Sequence, residues 1–405
     1  MGDIEIQDPY AASCRRLLAL SLVLLVAACD SSTSADPAAT TTSPSPSERA
    51  EAFPVAAFTN ISADPVSEER SEEFQAALNE MSEQAGGAGM SATVLSPAGT
   101  WSGAVGKADS GRDVGIGDQF AIGSVTKSPV AAQMMQLVEA GRLRLDDPAD
   151  RYLPAGLNFD TNGATIRQLM GMRSGIPNYW PELEVTLATD RQRVWTTADM
   201  LALIPAERTP AGTTFDYSDT NYLLLQHVIE QVSGRTVVQV MRDGGVLNID
   251  GIERLVYQPD ERPTAPMALP DAMSPAEWKK GRGYLPSIAS ATAGPTTGSI
   301  ATNSLSLAHW WQAFCSGKLI SQDSLTTMAT FVDEYGLGLF DVADPYAASF
   351  GHAGSDIGYV SWAGCLPDSG SVIVALSNRV VEDIGGMPRP LVVAAESDAT
   401  TRTTP

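Results

Sequence analysis

The stretch FAIGSVTKSPVAAQMM, Phe120–Met135, places Ser124 and Lys127 three residues apart at a predicted helix entrance. Residues at i and i+3 share one helix face, so the lysine amine can reach the serine hydroxyl. A serine hydroxyl is a poor nucleophile until a neighbouring base takes its proton. A helix N-terminus adds positive potential and unsatisfied N–H groups that can stabilise an oxyanion, and burial would help the ammonium shed its proton. A serine three residues before a lysine is common in proteins. Lysine is scarce here, however: Lys107, Lys127, Lys279, Lys280 and Lys318 are all there are, and only Lys127 has that serine. Other nucleophile systems are missing. No serine lies in a G-x-S-x-G elbow, and the three histidines form no H-E-x-x-H. No phosphate-binding P-loop or dinucleotide fingerprint is present, so neither a metal nor a cofactor is expected.

Around this stretch the hydropathy pattern changes period. Ser67–Gln84 (SEERSEEFQAALNEMSEQ) reads as an amphipathic helix capped by Ser67, with acidic residues in its first turn. Met90–Gly106 (MSATVLSPAGTWSGAVG) gives two β-rich runs around Ser96-Pro97-Ala98-Gly99, a hairpin signal. From Ser124 to about Ser316 helical periodicity dominates, broken by Gly- and Pro-rich loops. Strand signals return at Ser349–His352, Gly358–Ala363 and Ser371–Leu376. Strands at both ends predict an α/β (α+β) fold with one sheet built from both ends of the chain. The helical middle, residues 124–310, is then an inserted all-helical subdomain.

At 405 residues the chain has room for a large core, and its net charge of −22 argues against nucleic acid or an anionic membrane surface as partner. Arg15 and Arg16 precede the apolar run Leu17–Ala28, which is too short for a bilayer core needing about 20 residues. It fits the h-region of a secretory signal. Val26-Ala27-Ala28-Cys29 resembles a bacterial lipobox, which implies removal of residues 1–28 and lipidation of Cys29. Residues 29–49, rich in Ser, Thr and Pro, read as a disordered tether, residues 50–395 as the folded domain and 396–405 as a disordered tail. The chain is thus expected to be exported and held at the membrane by a lipid anchor. Cys14 falls in the signal, which leaves Cys315 and Cys365 as either a disulfide or two buried thiols.

The stretch from Phe120 to Pro154 resembles the active-serine helix of the penicillin-recognising serine hydrolases. That superfamily includes class C β-lactamases, D-Ala-D-Ala carboxypeptidases, D-aminopeptidases and related esterases. Further segments follow in family order: TIRQLMGMRSGIPNY (Thr165–Tyr179), FDYSDTNYLLLQHVIEQVSG (Phe215–Gly234), TGSIATNSLSLAHWWQAFCSGKLIS (Thr297–Ser321) and GHAGSDIGYVSWAG (Gly351–Gly364). The resemblance implies an antiparallel sheet flanked by helices, of the β-lactamase/transpeptidase type. It also implies an acyl-enzyme on Ser124, with Lys127 as proton partner and Tyr217 as second acid or base. His352 and Gly354 would lie on the strand edging the site, and the N–H groups of Ser124 and Ser355 would form the oxyanion hole.

Three departures from the family pattern stand out. Asp219 occupies the place of an Asn two residues after the tyrosine; a carboxylate cannot donate a hydrogen bond, and it would hold Lys127 protonated. Ala353 lacks the usual threonine hydroxyl, and His352 is a weaker, pH-dependent cation than lysine. Together they disfavour carboxylate-bearing substrates. The expected activity is hydrolysis of a small ester, amide or peptide. The alternative is a non-catalytic ligand- or penicillin-binding lipoprotein on the same fold.

Overall fold

In a computed structural model of the chain, residues 51–270, 273–343 and 347–402 are described. The signal, the lipobox Cys29 and the tether therefore lie outside the described residues. Helix α1 (Glu68–Gln84) starts where expected, with the Ser67 hydroxyl accepting from Arg70 N. Strands β1 (Met90–Ser96) and β2 (Gly99–Val105) form the anticipated hairpin, and β3 (Phe120–Ala121) leads into the Ser124 segment. Next come α2 (Lys127–Glu139), α3 (Ile166–Met170), α4 (Trp180–Thr189), α5 (Thr197–Leu201), α6 (Asp219–Ser233) and α7 (Val237–Arg242). They are followed by β4 (Val256–Tyr257), α8 (Pro275–Lys280), α9 (Ile288–Ala293) and β5 (Ile300–Thr302). The chain closes with α10 (Ser304–Cys315), α11 (Gln322–Met328), β6 (Phe350–Asp356), β7 (Tyr359–Leu366), β8 (Ser371–Ser377) and α12 (Arg389–Arg402).

The main sheet has the order β2-β1-β8-β7-β6 and is antiparallel throughout. The N-terminal hairpin thus pairs with the last strand, joining both chain ends as the pattern of strand signals requires. Every residue of β1, β7 and β8 is buried, because helices cover both faces: α1 and α12 on one, α10 on the other. A disulfide between Cys315 and Cys365 ties α10 to β7. Among the described residues no helix is long and apolar enough to cross a membrane.

Two expectations need correction. The inserted region is not all helical, since β4 and β5 join β3 in a second, three-stranded sheet. Helix α12 also runs through residue 402, across much of the stretch read as a disordered tail. Tertiary contacts explain the second difference. The Arg70 guanidinium donates to Ala394 O (3.0 Å) and the Ser369 hydroxyl donates to Glu396 (2.7 Å), so the helix is docked where its own sequence gives little helical signal.

Candidate active site

Ser124 lies in a 3-10 turn, Gly123–Thr126, that runs directly into α2. In a 3-10 turn residues i and i+3 eclipse, which brings the Ser124 and Lys127 side chains together. Pro129 is the third residue of α2, where no intrahelical donor is missed. The turn is pressed against the edge strand β6. Gly123 has φ +49°, and a Cβ there would collide with the backbone of Ser355. A Cβ on Gly354 would collide with Ile122 O and stand 2.9 Å from Ser124 N. Only glycine at both positions lets the strand approach Ser124 this closely.

Lys127 is fully buried and has three polar partners. Its Nζ lies 2.9 Å from Ser124 Oγ, 2.9 Å from Thr297 O and 2.7 Å from Asp219 Oδ1. These partners satisfy either protonation state. A neutral amine accepts from the Ser124 hydroxyl and donates its two hydrogens to Thr297 and Asp219; an ammonium donates to all three. Burial pushes the Lys127 amine below its ordinary pKa, and the charge and hydrogen bond of Asp219 pull it up without fully offsetting burial. Burial and the adjacent carboxylate thus act on the Lys127 amine in opposite directions, with burial the larger. The Tyr217 ring faces Lys127 Nζ at 5.1 Å and that of Tyr222 at 5.8 Å.

Asp219 begins α6 and is itself nearly buried. Its other oxygen, Oδ2, accepts from Asn178 Nδ2 at 3.2 Å, and its backbone N–H donates to Asn178 Oδ1 at 3.1 Å. The loop carrying Asn178 is laced to the first turn of α6 beyond this pair. Thr220 donates to Pro177 O at 2.7 Å, and the Ser174 hydroxyl bonds Asn221 Oδ1.

His352, read from the sequence as a pH-dependent cation, is not one here. It is fully buried against Tyr217, Tyr335 and Phe340, with ring centroids 6.4, 6.0 and 5.0 Å away. Burial, with the Lys127 charge, pushes its pKa down to about 3. As a neutral imidazole it donates from Nδ1 to Ala353 O at 2.5 Å, and Nε2 lies 3.5 Å from the Tyr335 hydroxyl. Ala353 and Ser355 alternate with His352 and Gly354 along β6 and remain partly exposed.

The structure thus brings together Ser124, Lys127, Asp219, Tyr217, His352, Gly354 and Ser355, while Cys29 lies outside the described residues. Sequence reading missed Asn178, Thr297 and Tyr335. Thr297 acts through its backbone carbonyl, which no side-chain motif records. Asn178 was visible only as part of SGIPNY. Among the described residues no group of three His, Cys, Asp or Glu could hold a metal ion.

Comparison with known proteins places the chain among related ones. PbpX of Bacillus subtilis (strain 168), named for penicillin binding, is 27% identical over 238 residues, 56% of this chain. The match spans 55% of PbpX, about half the length of that curated relative. Among solved structures, a D-stereospecific amidohydrolase from Streptomyces sp. superposes with a TM-score of 0.63 at 24% identity, covering 75% of this chain and 94% of that one. The D-amino acid amidase of Ochrobactrum anthropi SV3 gives 0.69 at 19% identity, covering 83% and 100%. A family model described as Beta-lactamase matches residues 74–395, nearly the whole described unit. The chain belongs to the beta-lactamase family.

Proposed function

We propose that the protein is a serine hydrolase that forms an acyl-enzyme on Ser124, acting on small esters or amides that carry no carboxylate beside the scissile bond. The observation that carries this reading is the 2.9 Å contact between Ser124 Oγ and the buried amine of Lys127. In acylation Ser124 Oγ attacks the substrate carbonyl while its proton passes to the Lys127 lone pair. Asp219 stabilises the ammonium that forms. The oxyanion is received by the N–H groups of Ser124 and Ser355, two aimed donors of the kind that lower such barriers by about 3–4 kcal/mol each. The leaving group departs with a proton drawn from Lys127 through Tyr217, and water then cleaves the acyl ester by the reverse proton path.

The charge inventory supports the substrate class. Lys127 is balanced by Asp219, and His352 stays neutral at all but strongly acidic pH. Neither cation is left for a substrate carboxylate, and Ala353 offers it no hydroxyl. A carboxylate buried without a partner is costly. The test compares p-nitrophenyl butyrate with mono-p-nitrophenyl succinate, matched in chain length. The neutral ester is expected to show kcat/KM about tenfold higher or more, equivalent to about 1.4 kcal/mol; equal rates would remove the charge argument.

One observation favours a second reading. The 2.7 Å ion pair of Lys127 with Asp219 suits a lysine held permanently as ammonium, hence a binding protein without turnover. Turnover that disappears in Ser124→Ala decides against it. Export as a lipoprotein through Cys29 belongs to the proposal as well. It is supported by the apolar run Leu17–Ala28 before Cys29 and by the Cys315–Cys365 disulfide, which suits an oxidising compartment.

A further inference from the structure

Asp219 can serve Lys127 only if one of its oxygens stays on the amine, and a short carboxylate side chain rotates freely unless its second oxygen is held. Here that oxygen meets Asn178 Nδ2 at 3.2 Å. The Asn178 carbonyl oxygen is also fixed, accepting from Asp219 N and from Trp180 N, both at 3.1 Å. With Oδ1 so committed, the amide of Asn178 can turn only its NH2 group toward Asp219. The side chain is thus a neutral, oriented donor spanning two elements, the start of α4 and the start of α6.

We propose that Asn178 is a positioning residue for the nucleophile: its amide N–H fixes the Asp219 carboxylate, so that the other carboxylate oxygen holds the Lys127 amine against Ser124. This rests on the serine-hydrolase reading above. A neutral donor matters because a charged one would change the proton affinity of Lys127. A cation would compete for Asp219, and an anion would add to the field that keeps the lysine protonated. The other ionisable groups facing this cluster are phenols and one neutral imidazole. Tyr179 and Tyr335 both feel the Asp219 charge, Tyr217 and Tyr222 lie over the ammonium, and His352 feels Lys127. Among the described residues, the groups named around Lys127 and Asp219 are thus phenols and an imidazole whose charge burial disfavours, and Asn178 adds no charge to them.

The substitution Asn178→Asp separates positioning from scaffolding. The introduced carboxyl keeps an Oδ1 acceptor for Asp219 N and Trp180 N, and changes only the group facing Asp219 Oδ2. Two carboxyl groups at this distance cannot both ionise easily, so between them they retain one proton to a higher pH than either would alone. While that proton is present, the O–H of the introduced carboxyl replaces the lost N–H donor. Once it leaves, two carboxylates face Lys127 and pin it as ammonium. Asn178→Ser keeps a short acceptor for Trp180 N but supplies no donor within reach at any pH.

The experiment measures kcat and KM for p-nitrophenyl butyrate from pH 5 to pH 9 in the full chain, with the melting temperature of each variant as a check on folding. For N178D, the kcat/KM ratio to wild type is expected to be near one at pH 5 and a tenth or less at pH 9, with the loss in kcat rather than KM. For N178S, the ratio is expected to be low and flat. A pH-independent ratio for N178D, or unaltered kcat in N178S, would overturn the role of Asn178. If N178D does not fold, the flat, kcat-borne loss in folded N178S carries the test. Absence of Ser124-dependent turnover in the wild type would instead refute the underlying hydrolase reading.

Discussion

Replacing Asp219 by Asn removes one charge from the cluster and leaves a group of nearly the same shape. In the native site the carboxylate stands 2.7 Å from Lys127 Nζ. At an effective dielectric of about 20 that distance corresponds to about 6 kcal/mol of attraction. Much of it is recovered by the asparagine carbonyl, which still accepts from the amine. The sign follows from the ion pair. Asp219 favours charged Lys127, so its loss lowers the lysine pKa further below its ordinary value, where burial already holds it. Ser124 needs the neutral amine, so the acidic limb of kcat/KM is expected to move to lower pH in D219N. On that limb each unit is about a tenfold gain over wild type. The assay is steady-state hydrolysis of p-nitrophenyl butyrate between pH 4 and pH 10. The plateau can fall, because positioning suffers, but the limb must move. A limb that stays in place or moves to higher pH would refute Lys127 as the base that Asp219 tunes.

Other consequences are open to measurement. Asp356 is buried at the end of β6, and burial pushes its pKa up to about 7 against the pull of Ile357 N–H and the Ser290 hydroxyl. The folded state therefore holds a proton that the unfolded chain releases near pH 4, and stability falls as pH rises from about 4 through 7, by up to about 4 kcal/mol. Asp356→Asn is expected to melt higher than wild type at pH 8 but not at pH 4; a melting difference independent of pH would contradict this. His352, buried and neutral, acts in the opposite window. The unfolded chain takes up its proton below about pH 6.5, so this group costs stability as pH falls toward 3. The Cys315–Cys365 bridge closes a separation of 50 residues, worth about 4 kcal/mol in the chain-entropy account. The double serine variant should show a lower denaturant midpoint, with an unfolding free energy reduced by that order, and an unchanged midpoint would show that the bridge contributes nothing to folding.

How far the sequence revealed this molecule depended on the length and exposure of each feature. The hairpin of β1 and β2, helix α1 and the buried run of β8 were legible because each sustains its period over seven or more residues with turn or cap residues at its ends. β3, β4 and β5 were not, since strands of two or three residues carry no periodicity and exist only through pairing across distant segments. The Ser124–Lys127 pair was legible because it is local. Its electrostatics were not. Sequence allowed Asp219 to be read as an obstacle to the lysine, but only packing showed that burial pulls against it. Burial also removed the charge expected on His352. Asn178 escaped notice because its contribution is to be an oriented neutral donor, and nothing in an isolated asparagine distinguishes that from a turn residue. Helix α12 shows the same effect at larger scale, since its partners Arg70 and Ser369 lie outside it in sequence.

The central claim is a covalent acyl group on Ser124. Intact-mass spectrometry of the full chain after rapid acid quench from p-nitrophenyl butyrate, followed by peptide mapping, tests it directly. The expected result is a mass gain of one butyryl group located on the peptide holding Gly123–Lys127, absent in Ser124→Ala together with all catalysed release of p-nitrophenol. Burst-free wild type with no adduct, or an adduct and turnover that persist in Ser124→Ala, would contradict it.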